Sequence, residues 1–309
     1  MTLSPKEVNM LALNPQLRAR LEQIDPSPKF MEYLKKPLRR SIRVNTLKLG
    51  LDEIVEELSK RHKLEQVSWC KEGFFIDEED VGNTLEYNLG LIYSQEASSM
   101  IPAIALNLEP GMLVLDMAAS PGSKTTQIAQ YMRNEGCIIA NDVRKRRINV
   151  MISNFRQFGV LIARVTIRDG RGFKEMENTF DRILVDAPCS NTGMIRKNYK
   201  YAKIWTKRDV ESLSRLQKSM LTAAYSALKP GGKLVYSTCS FDPVENEEVV
   251  DHLLSNTDAK LEGIDLEVES HRPILKFDGK EFDPMVEKCL RIHPQDNDTE
   301  GFFVAKVVK

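Results

Sequence analysis

Several common features are missing from this sequence of 309 residues. It has no apolar run of about 18 residues, which a membrane-spanning helix requires, and its start, MTLSPKEVNM, lacks the charged-then-apolar pattern of a signal peptide. Its five cysteines are widely spaced without a CxxC pair, and its four histidines form no cluster, so neither a disulfide framework nor a metal site is predicted. We therefore expect a cytoplasmic protein with no membrane contact and no metal, and we assign no role to the histidines.

The net charge of zero gives no sign of a nucleic-acid ligand, but the charges are unevenly distributed. Residues 1–50 carry ten Lys and Arg against four Asp and Glu, and residues 140–210 carry sixteen against seven. Residues 241–300 carry six against seventeen. This asymmetry favours a polyanion-binding face with an acidic back, although a solvated helix surface explains any single cluster about as well.

The first 94 residues are predicted to form two small units. Prolines divide residues 1–37 into short helices; they are Pro5, Pro15, Pro26, Pro28 and Pro37. Residues 38–94 show a strand–helix–strand order in the segments RSIRVNTLKLG, LDEIVEELSKRH, LEQVSWC, GFFID and LIYS. That order suggests a small α+β domain of the ferredoxin-like kind used by RNA-binding domains, although the aromatic RNP signature is absent.

Residues 95–309 show a regular alternation of strands and helices. The predicted strands are LVLDM, IIAND, RVTIRD, RILVDAP and KLVYSTC, with helices at 123–133, 144–158 and 208–228 between them. Two late strands, near LRIHP and GFFVAKVV, follow the acidic segment. This alternation predicts an α/β fold with a doubly wound, Rossmann-like parallel sheet and helices on both faces.

Ligands of such sheets lie at the carboxyl ends of the strands, where this sequence places four carboxylates: Asp116, Asp142, Asp169 and Asp186. The turn AASPGSKT after the first strand resembles a phosphate loop, but it lacks the first glycine, and Pro121 removes an N–H donor. The carboxylates would also repel a triphosphate. A cationic or neutral ligand with a ribose diol fits better, and S-adenosylmethionine is predicted. Asp142 would accept the ribose hydroxyls, and Gly122 would let the backbone approach the ligand; taken singly, each Asp is also explained as a helix cap.

Five segments resemble the motifs of one family, the Nop/Sun-type RNA cytosine-5 methyltransferases: DMAASPGSKTTQIA, DAPCSNTG, YSTCSFDPVENEEVV, YSQEASSM and GFFVAKV. The resemblance covers about residues 40–309. It implies that Cys239 is the nucleophile, that Cys189 releases the product, and that Lys124 and Asp186 belong to the active site. It also implies a cofactor pocket lined by Ala118, Ala119, Ser120, Pro121, Gly122, Ser123, Lys124, Asp142, Asp169 and Asp186.

The chemistry of that family explains why these residue types are needed. Addition of a thiolate to carbon 6 of cytosine makes carbon 5 nucleophilic, and cysteine attacks well and also leaves again. Ser237, Thr238 and Ser240 are expected to orient or solvate the Cys239 thiolate. Asp186 is expected to hydrogen-bond the ring, either with a protonated carboxyl group or through a water molecule. The spacing does not decide which cysteine attacks; only the resemblance favours Cys239 over Cys189.

The target base must leave its stack to reach such a site, so an exposed or extrudable RNA cytosine is expected. Arg39, Arg40 and Arg43, with Lys197 and Lys200 of RKNYKYAK, are predicted to hold phosphates. Tyr199 and Tyr201 would stack on bases, though an ordinary surface explains them equally well.

The compact chain favours tRNA over rRNA as the substrate, and a monomer as the active form. Two rival readings of the same fold are an amino-group methyltransferase and a catalytically silent RNA-binding assembly factor. The first is disfavoured because DAPCS lacks the [DN]PP[YF] motif of those enzymes. The second is disfavoured because both cysteines and all the predicted pocket carboxylates are present.

Overall fold

The computed structural model describes residues 13–309. The first twelve positions, with Pro5 and the beginning of the predicted N-terminal helical segment, lie outside the described residues. Within the described part, two short helices begin the chain, α1 (Pro15–Ile24) and α2 (Pro28–Tyr33). Each starts with a proline, whose missing N–H costs nothing in the first turn, and the side chains of Asn14 and Ser27 cap them by accepting backbone N–H groups.

The small domain that follows is a four-stranded antiparallel sheet. Its elements are β1 (Arg40–Val44), α3 (Leu51–Ser59), β2 (Leu64–Gln66), β3 (Gly73–Ile76), α4 (Leu85–Asn88) and β4 (Ile92–Ser94). The strand order β2-β3-β1-β4, with every pair antiparallel, is that of the ferredoxin-like βαββαβ fold. The predicted fold of this segment is therefore correct, while the division of the chain at residues 37 and 94 stays a prediction.

The two faces of this small sheet differ in what covers them. Ile42 and Val44 point to one face and pack with Ile54 and Leu58 of α3 in a separate apolar cluster. Arg43, on the other face, is 1% exposed and is covered by the large domain. The face that an RNA-binding domain of this kind leaves open is thus occupied by protein.

The large domain is built on an eight-stranded sheet. Its elements are α5 (Ile101–Ala105), β5 (Leu113–Asp116), α6 (Ser123–Tyr131), β6 (Cys137–Asn141), α7 (Lys145–Phe158), β7 (Ala163–Thr166), β8 (Phe180–Asp186), α8 (Lys200–Ile204), α9 (Lys207–Ala227), β9 (Leu228–Thr238), α10 (Glu247–Asn256), β10 (Lys260–Glu262), β11 (Lys276–Phe277), β12 (Lys280–Glu281), β13 (Leu290–Ile292), α11 (Pro294–Asn297) and β14 (Phe302–Val308). Strands β11 and β12 form a separate two-stranded sheet. The predicted strands and helices are found within a few residues of their expected positions.

The order of the large sheet is β10-β14-β9-β8-β5-β6-β7, and β13 pairs with β14. Strands β5 to β9 are parallel, as predicted, but β14 runs antiparallel to β9, so the sheet is mixed rather than wholly parallel. The winding reverses direction at β5, and the crevice between β5 and β8 is where such sheets bind ligands. Because β14 begins at the carboxyl end of β9, opposite Thr238, it brings the residues before it to the same edge.

Candidate active site

An ion pair lies in the crevice between β5 and β8. Lys124 Nζ of α6 is 2.7 Å from Asp186 Oδ2, and Ser237 Oγ donates to the other carboxylate oxygen at 2.8 Å. Burial by itself would lower the pKa of Lys124, but Asp186 raises it above its ordinary value. Both oxygens of Asp186 thus already accept hydrogen bonds. The predicted hydrogen bond of Asp186 to the ring stays a prediction.

The two cysteines of the sequence motifs meet at the ends of neighbouring strands. Cys189 follows β8 and Cys239 follows β9, and their Sγ atoms are 3.2 Å apart. The Cys239 thiol donates to Asn191 Oδ1 at 3.2 Å. The hydrogen bond with Cys189, together with burial, raises the pKa of Cys239 well above its usual range. Both cysteines are free, and Cys239 is the more exposed of the two.

The hydroxyl groups beside Cys239 do not contact its sulfur. Ser237 donates to Asp186, Thr238 to Asn246 at 2.5 Å, and Ser240 Oγ to a carboxylate oxygen of Glu245 at 2.6 Å. The expectation that these hydroxyls orient the thiolate is therefore not met. The three hydroxyls are close to Cys239 in sequence, but this closeness does not determine which acceptor each side chain contacts.

Glu245 contacts both cysteine-bearing loops, although it was not among the residues predicted from the sequence. Its carboxylate is fully buried and accepts from Ser190 N at 2.9 Å and from Gln217 Nε2 at 3.1 Å. It also accepts the hydroxyls of Ser190 and Ser240, which follow the two cysteines directly in sequence. Burial raises the pKa of Glu245 to about 7. This one side chain therefore ties together the two loops that carry Cys189 and Cys239.

The predicted cofactor turn connects β5 to α6 at the same edge of the sheet. Ala119 N donates to Asn141 O and Gly122 N donates to Ala119 O, both at 2.7 Å, which folds the turn back on itself. Gly122 has φ 104°, and a Cβ there would come within 3.0 Å of Phe155 and 3.3 Å of Met151. Glycine is thus required by the backbone conformation and by packing on α7. The predicted close approach of the backbone to the ligand stays a prediction.

The polar groups around the turn suit a zwitterionic nucleoside ligand. No described side chain caps the first turn of α6, and such a helix start favours an anion such as a carboxylate. Asp116 is buried, and its Oδ2 accepts from Thr125 Oγ1 at 2.7 Å while its Oδ1 has no hydrogen-bond partner. Burial raises the pKa of Asp116 to about 7. The unmatched oxygen of Asp116 suits the amino group of an amino acid moiety, and the uncapped start of α6 suits its carboxylate.

Two further predicted pocket residues differ in their surroundings. Asp142 is buried at the end of β6, where it accepts from Arg144 N at 2.8 Å and lies 3.2 Å from Arg147 Nη1. Asp169 is half exposed and lies 2.6 Å from Arg171, which lowers its pKa to about 2. Both lie at the predicted edge of the sheet. Their contacts with a cofactor remain a prediction.

The predicted RNA-binding residues fall into three groups. Lys197 and Lys200 are exposed and Arg40 is half exposed, so these three are available to phosphates. Arg39 is held by Glu65 at 2.6 Å and lies over the Phe75 ring.

Arg43 is not available. Its guanidinium donates to Gln95 Oε1 at 2.8 Å, to Thr126 Oγ1 at 2.7 Å and to Gln130 Oε1. It joins the two domains, and its prediction as an RNA ligand is wrong. Tyr199 is also buried, and its hydroxyl has no partner, so it offers no stacking surface; Tyr201 is half-buried.

Two histidines that were expected to be unrelated are in contact. The rings of His271 and His293 stack with their centroids 4.2 Å apart, and His293 Nδ1 is 2.8 Å from Asp25 Oδ2. The ligand atoms of these three residues lie close enough to share a metal ion. However, Asp25 Oδ2 also accepts from Gln295 Nε2 at 2.7 Å, so hydrogen bonds account for the cluster. The histidines are paired, contrary to expectation, because β13 brings His293 beside a distant loop.

The fold and the site define a class of enzyme: a Rossmann-like, S-adenosylmethionine-dependent methyltransferase with two cysteines at its centre. The profile of the family 16S rRNA methyltransferase RsmB/F matches residues 103–308, and that of the N-terminal domain of 16S rRNA methyltransferase RsmF matches residues 15–97. The chain belongs to the RsmB/F methyltransferase family, which confirms the predicted Nop/Sun-type resemblance.

Three known proteins show how broad this similarity is. The tRNA (cytosine(49)-C(5))-methyltransferase of Pyrococcus abyssi is 55% identical over 300 residues, which is 96% of each chain. Ribosomal RNA small subunit methyltransferase F of Vibrio campbellii is 43% identical over 288 residues, 91% of this chain but 59% of the relative. The structure of NSun6 from Pyrococcus horikoshii with SFG has a TM-score of 0.82 at 25% identity and covers 96% of this chain and 98% of its own. This chain is an RNA cytosine-5 methyltransferase.

Among residues 13–309, no helix is both long enough and apolar enough to cross a membrane.

Proposed function

We propose that the protein methylates carbon 5 of a cytosine in tRNA, as a cytoplasmic monomer, through a covalent adduct between Cys239 and carbon 6. The name of the Pyrococcus abyssi relative, which matches over nearly the whole of both chains, supports tRNA as the substrate. The Vibrio campbellii relative makes rRNA the second candidate. The match with this chain covers 59% of that protein's length.

The observation that carries the mechanism is the 3.2 Å separation of the two thiols. Carbons 5 and 6 of cytosine are bonded to each other, so two sulfurs this close can reach both ends of the same double bond. Cys239 is the more exposed thiol and attacks carbon 6; Cys189 accepts the proton of carbon 5 when the adduct breaks down. When bound, S-adenosylmethionine supplies the methyl group.

The ion pair beside the thiols has a role in the attack. A thiol with a raised pKa needs a nearby positive charge to become a thiolate, and Lys124 is a buried cation whose pKa is in turn raised by Cys239. Asp186 holds the ammonium group of Lys124 in position through the 2.7 Å contact. We assign to Lys124 the stabilisation of the thiolate and to Asp186 the orientation of Lys124.

The cofactor is assigned to the turn of residues 118–124 and to the carboxylates at the strand ends. The start of α6 would receive the carboxylate of the amino acid moiety, and Asp116 would receive its amino group. Asp142 would accept the ribose hydroxyls, which requires the exposed Arg147 to release its contact with Asp142. We assign Asp169 to the rim of this pocket.

The two cysteines are tested by single substitutions, because the attacking and the releasing thiol fail at different stages. Cys239→Ala is expected neither to methylate RNA nor to form an adduct. Cys189→Ala is expected to attack, transfer the methyl group and stall as a protein–RNA species that survives denaturing electrophoresis and disappears with ribonuclease. Cys137→Ala, at the start of β6 and so at the opposite end of the strand from the site, is the matched control and is expected to act as the wild type.

The outcomes separate the possible assignments. A stall in Cys239→Ala instead of Cys189→Ala would exchange the two roles. Wild-type methylation without an adduct in any variant, including with RNA that contains 5-fluorocytosine, would refute covalent catalysis. Bisulfite sequencing after incubation with tRNA or with 16S rRNA transcripts decides the substrate, and modification of rRNA alone would refute the tRNA proposal.

A further inference from the structure

We propose that Glu300 is a catalytic residue that donates a proton to nitrogen 3 of the target cytosine while Cys239 attacks carbon 6. This inference rests on the proposed function and adds a residue to it. Glu300 lies just before the GFFVAKV segment and is not among the residues predicted from the sequence.

The backbone places Glu300 beside the nucleophile. Gly193 N donates to Cys239 O at 2.9 Å, and Gly301 N donates to Gly193 O at 3.1 Å. A Cβ on Gly193 would come within 2.2 Å of Gly301 O, so glycine is needed there for the segments to approach this closely. These two hydrogen bonds connect Cys239 to Gly193 and Gly193 to Gly301, the residue that follows Glu300. The backbone of Glu300 therefore lies close to the end of β9.

The carboxyl group of Glu300 has a free position. The residue is 3% exposed, and Glu300 Oε1 is fully buried without a hydrogen-bond partner. The closest cation to it, Lys197 Nζ, is 3.9 Å away, which is beyond hydrogen-bond distance. Leaving a buried carboxyl oxygen unmatched costs free energy, and a catalytic role is one of the reasons for which proteins retain such a group.

The charges around Glu300 favour its protonated form. Burial raises the pKa of Glu300 to about 8, and the nearby carboxylate of Glu96 acts in the same direction. The carboxyl group of Glu96 accepts hydrogen bonds from Ser99 N and Glu300 N, both at 3.1 Å. The groups that act on Glu300 in the opposite direction are the cations Lys197, Lys124 and Arg196. Glu300 in turn raises the pKa of Cys239, so the two lie within electrostatic reach of each other.

The other carboxyl groups of the site are not placed for this task. Both oxygens of Asp186 accept hydrogen bonds from Lys124 and Ser237. Both oxygens of Glu245 are occupied as well. Within residues 13–309, Asp116 is the other carboxylate that has a fully buried oxygen without a partner, and it faces the cofactor turn.

The proposed step balances atoms and charge. The Cys239 thiolate forms a bond to carbon 6, and the electrons of the carbon 5–carbon 6 double bond shift towards carbon 4. The electrons of the carbon 4–nitrogen 3 double bond then move onto nitrogen 3, which takes the proton of Glu300. Carbon 5 is left as the nucleophilic carbon of an enamine. After carbon 5 has been methylated, nitrogen 3 returns the proton to Glu300 and the carbon 4–nitrogen 3 double bond forms again.

The test is the pH dependence of single-turnover methylation of an RNA transcript that the wild type modifies, at saturating RNA and cofactor. In the wild type, the rate rises with pH as Cys239 ionises and levels off near pH 8, where Glu300 loses its proton. Glu300→Gln keeps the shape of the side chain but has no proton to transfer. At pH 7 the rate of Glu300→Gln is expected to be about 100-fold or more below that of the wild type. Above pH 8 the rate of the variant should keep rising while that of the wild type is level, so the ratio of the two rates should fall by about tenfold per pH unit. RNA affinity is expected to change by less than about threefold.

Two further variants keep the inference testable if Glu300→Gln is unstable. Glu300→Asp retains an acid and is expected to retain the levelling near pH 8 at a reduced rate. Lys197→Met removes the cation nearest to Glu300, which raises the pKa of Glu300 and is expected to move the levelling to higher pH. If Glu300 served only to hold Lys197, Lys197→Met would instead reproduce the profile of Glu300→Gln.

The failures of this inference and of the proposed function look different. Parallel pH profiles for an active wild type and Glu300→Gln would refute the role of Glu300 and leave the cysteine mechanism intact. A wild type that modifies neither tRNA nor rRNA would refute the proposed function, and this inference with it.

Discussion

The loops that carry the two cysteines depend on one buried side chain, so Glu245 offers a strong test of the site's architecture. In the structure its carboxylate accepts the Ser190 N–H, the Gln217 amide and the hydroxyls of Ser190 and Ser240. Glu245→Ala removes all four acceptor contacts at once. We expect the variant to be less stable and to methylate RNA more slowly.

The loss of stability in Glu245→Ala depends on whether each donor finds another acceptor once the carboxylate is gone. The Ser190 and Ser240 hydroxyls are 3.1 Å apart and can hydrogen-bond each other. Ser190 N and one N–H of Gln217 then remain without a partner, because the other N–H of Gln217 is held by Pro188 O at 2.9 Å. Two unmatched buried donors, at about 1–3 kcal/mol each, cost about 2–6 kcal/mol in the free energy of unfolding. Displacement of either cysteine loop by about 1 Å would lower the methylation rate by about 100-fold.

Glu245→Gln is the matched control because it retains the volume and one acceptor oxygen, and it is expected to be less destabilised than the alanine variant. Its stability also depends differently on pH. The pKa of Glu245 is raised from 4.5 to about 7, so the native state favours the protonated carboxyl. The stability from that proton is fully present below about pH 4.5 and is lost as the pH rises through about 7. Glutamine does not titrate. The free energy of unfolding of Glu245→Gln, relative to that of the wild type, should therefore increase by about 3 kcal/mol between pH 4.5 and pH 8.

Urea unfolding followed by far-UV circular dichroism and by tryptophan fluorescence measures these differences, and coincidence of the two signals checks that the transition is two-state. An alanine variant within about 1 kcal/mol of the wild type would refute the reasoning. A difference in the free energy of unfolding between the wild type and Glu245→Gln that does not change with pH would refute the assigned role of the Glu245 proton.

Three other predictions concern binding and the domain interface. Asp142→Ala is expected to weaken S-adenosylmethionine binding by about 1–2 kcal/mol, the loss of two charge-assisted hydrogen bonds; calorimetry that finds unchanged affinity would remove Asp142 from the ribose site. Replacing Lys197 and Lys200 together with Gln is expected to make the log–log salt dependence of RNA affinity, measured by fluorescence anisotropy, shallower by about two units; an unchanged slope would mean that the lysines only solvate the surface. Arg43→Gln is expected to leave that slope unchanged and to lower the melting temperature by several degrees, since Gln95, Thr126 and Gln130 lose their common donor; a shallower slope with an unchanged melting temperature would return Arg43 to the RNA surface.

Much of the fold and the class of site could be predicted because they depend on local pattern. The parallel strands are short runs of apolar residues, such as the stretch Ile183–Val185, which is fully buried in the sheet. The carboxyl ends of parallel strands meet at one edge by topology alone. The positions of Asp116, Asp142 and Asp186 at that edge therefore followed from the sequence, as did the proximity of Cys189 and Cys239.

What only the tertiary structure decided is the partner of each polar side chain. Arg43 alternates with apolar residues on β1 as a surface arginine would, yet the face it occupies is covered by the other domain. Ser240 follows Cys239 but finds its acceptor in Glu245. Glu300 is distant in sequence from both cysteines, and it lies near the end of β9 because β14 pairs antiparallel with β9. Burial and hydrogen-bond partners depend on contacts between segments far apart in the chain, and no local pattern encodes them.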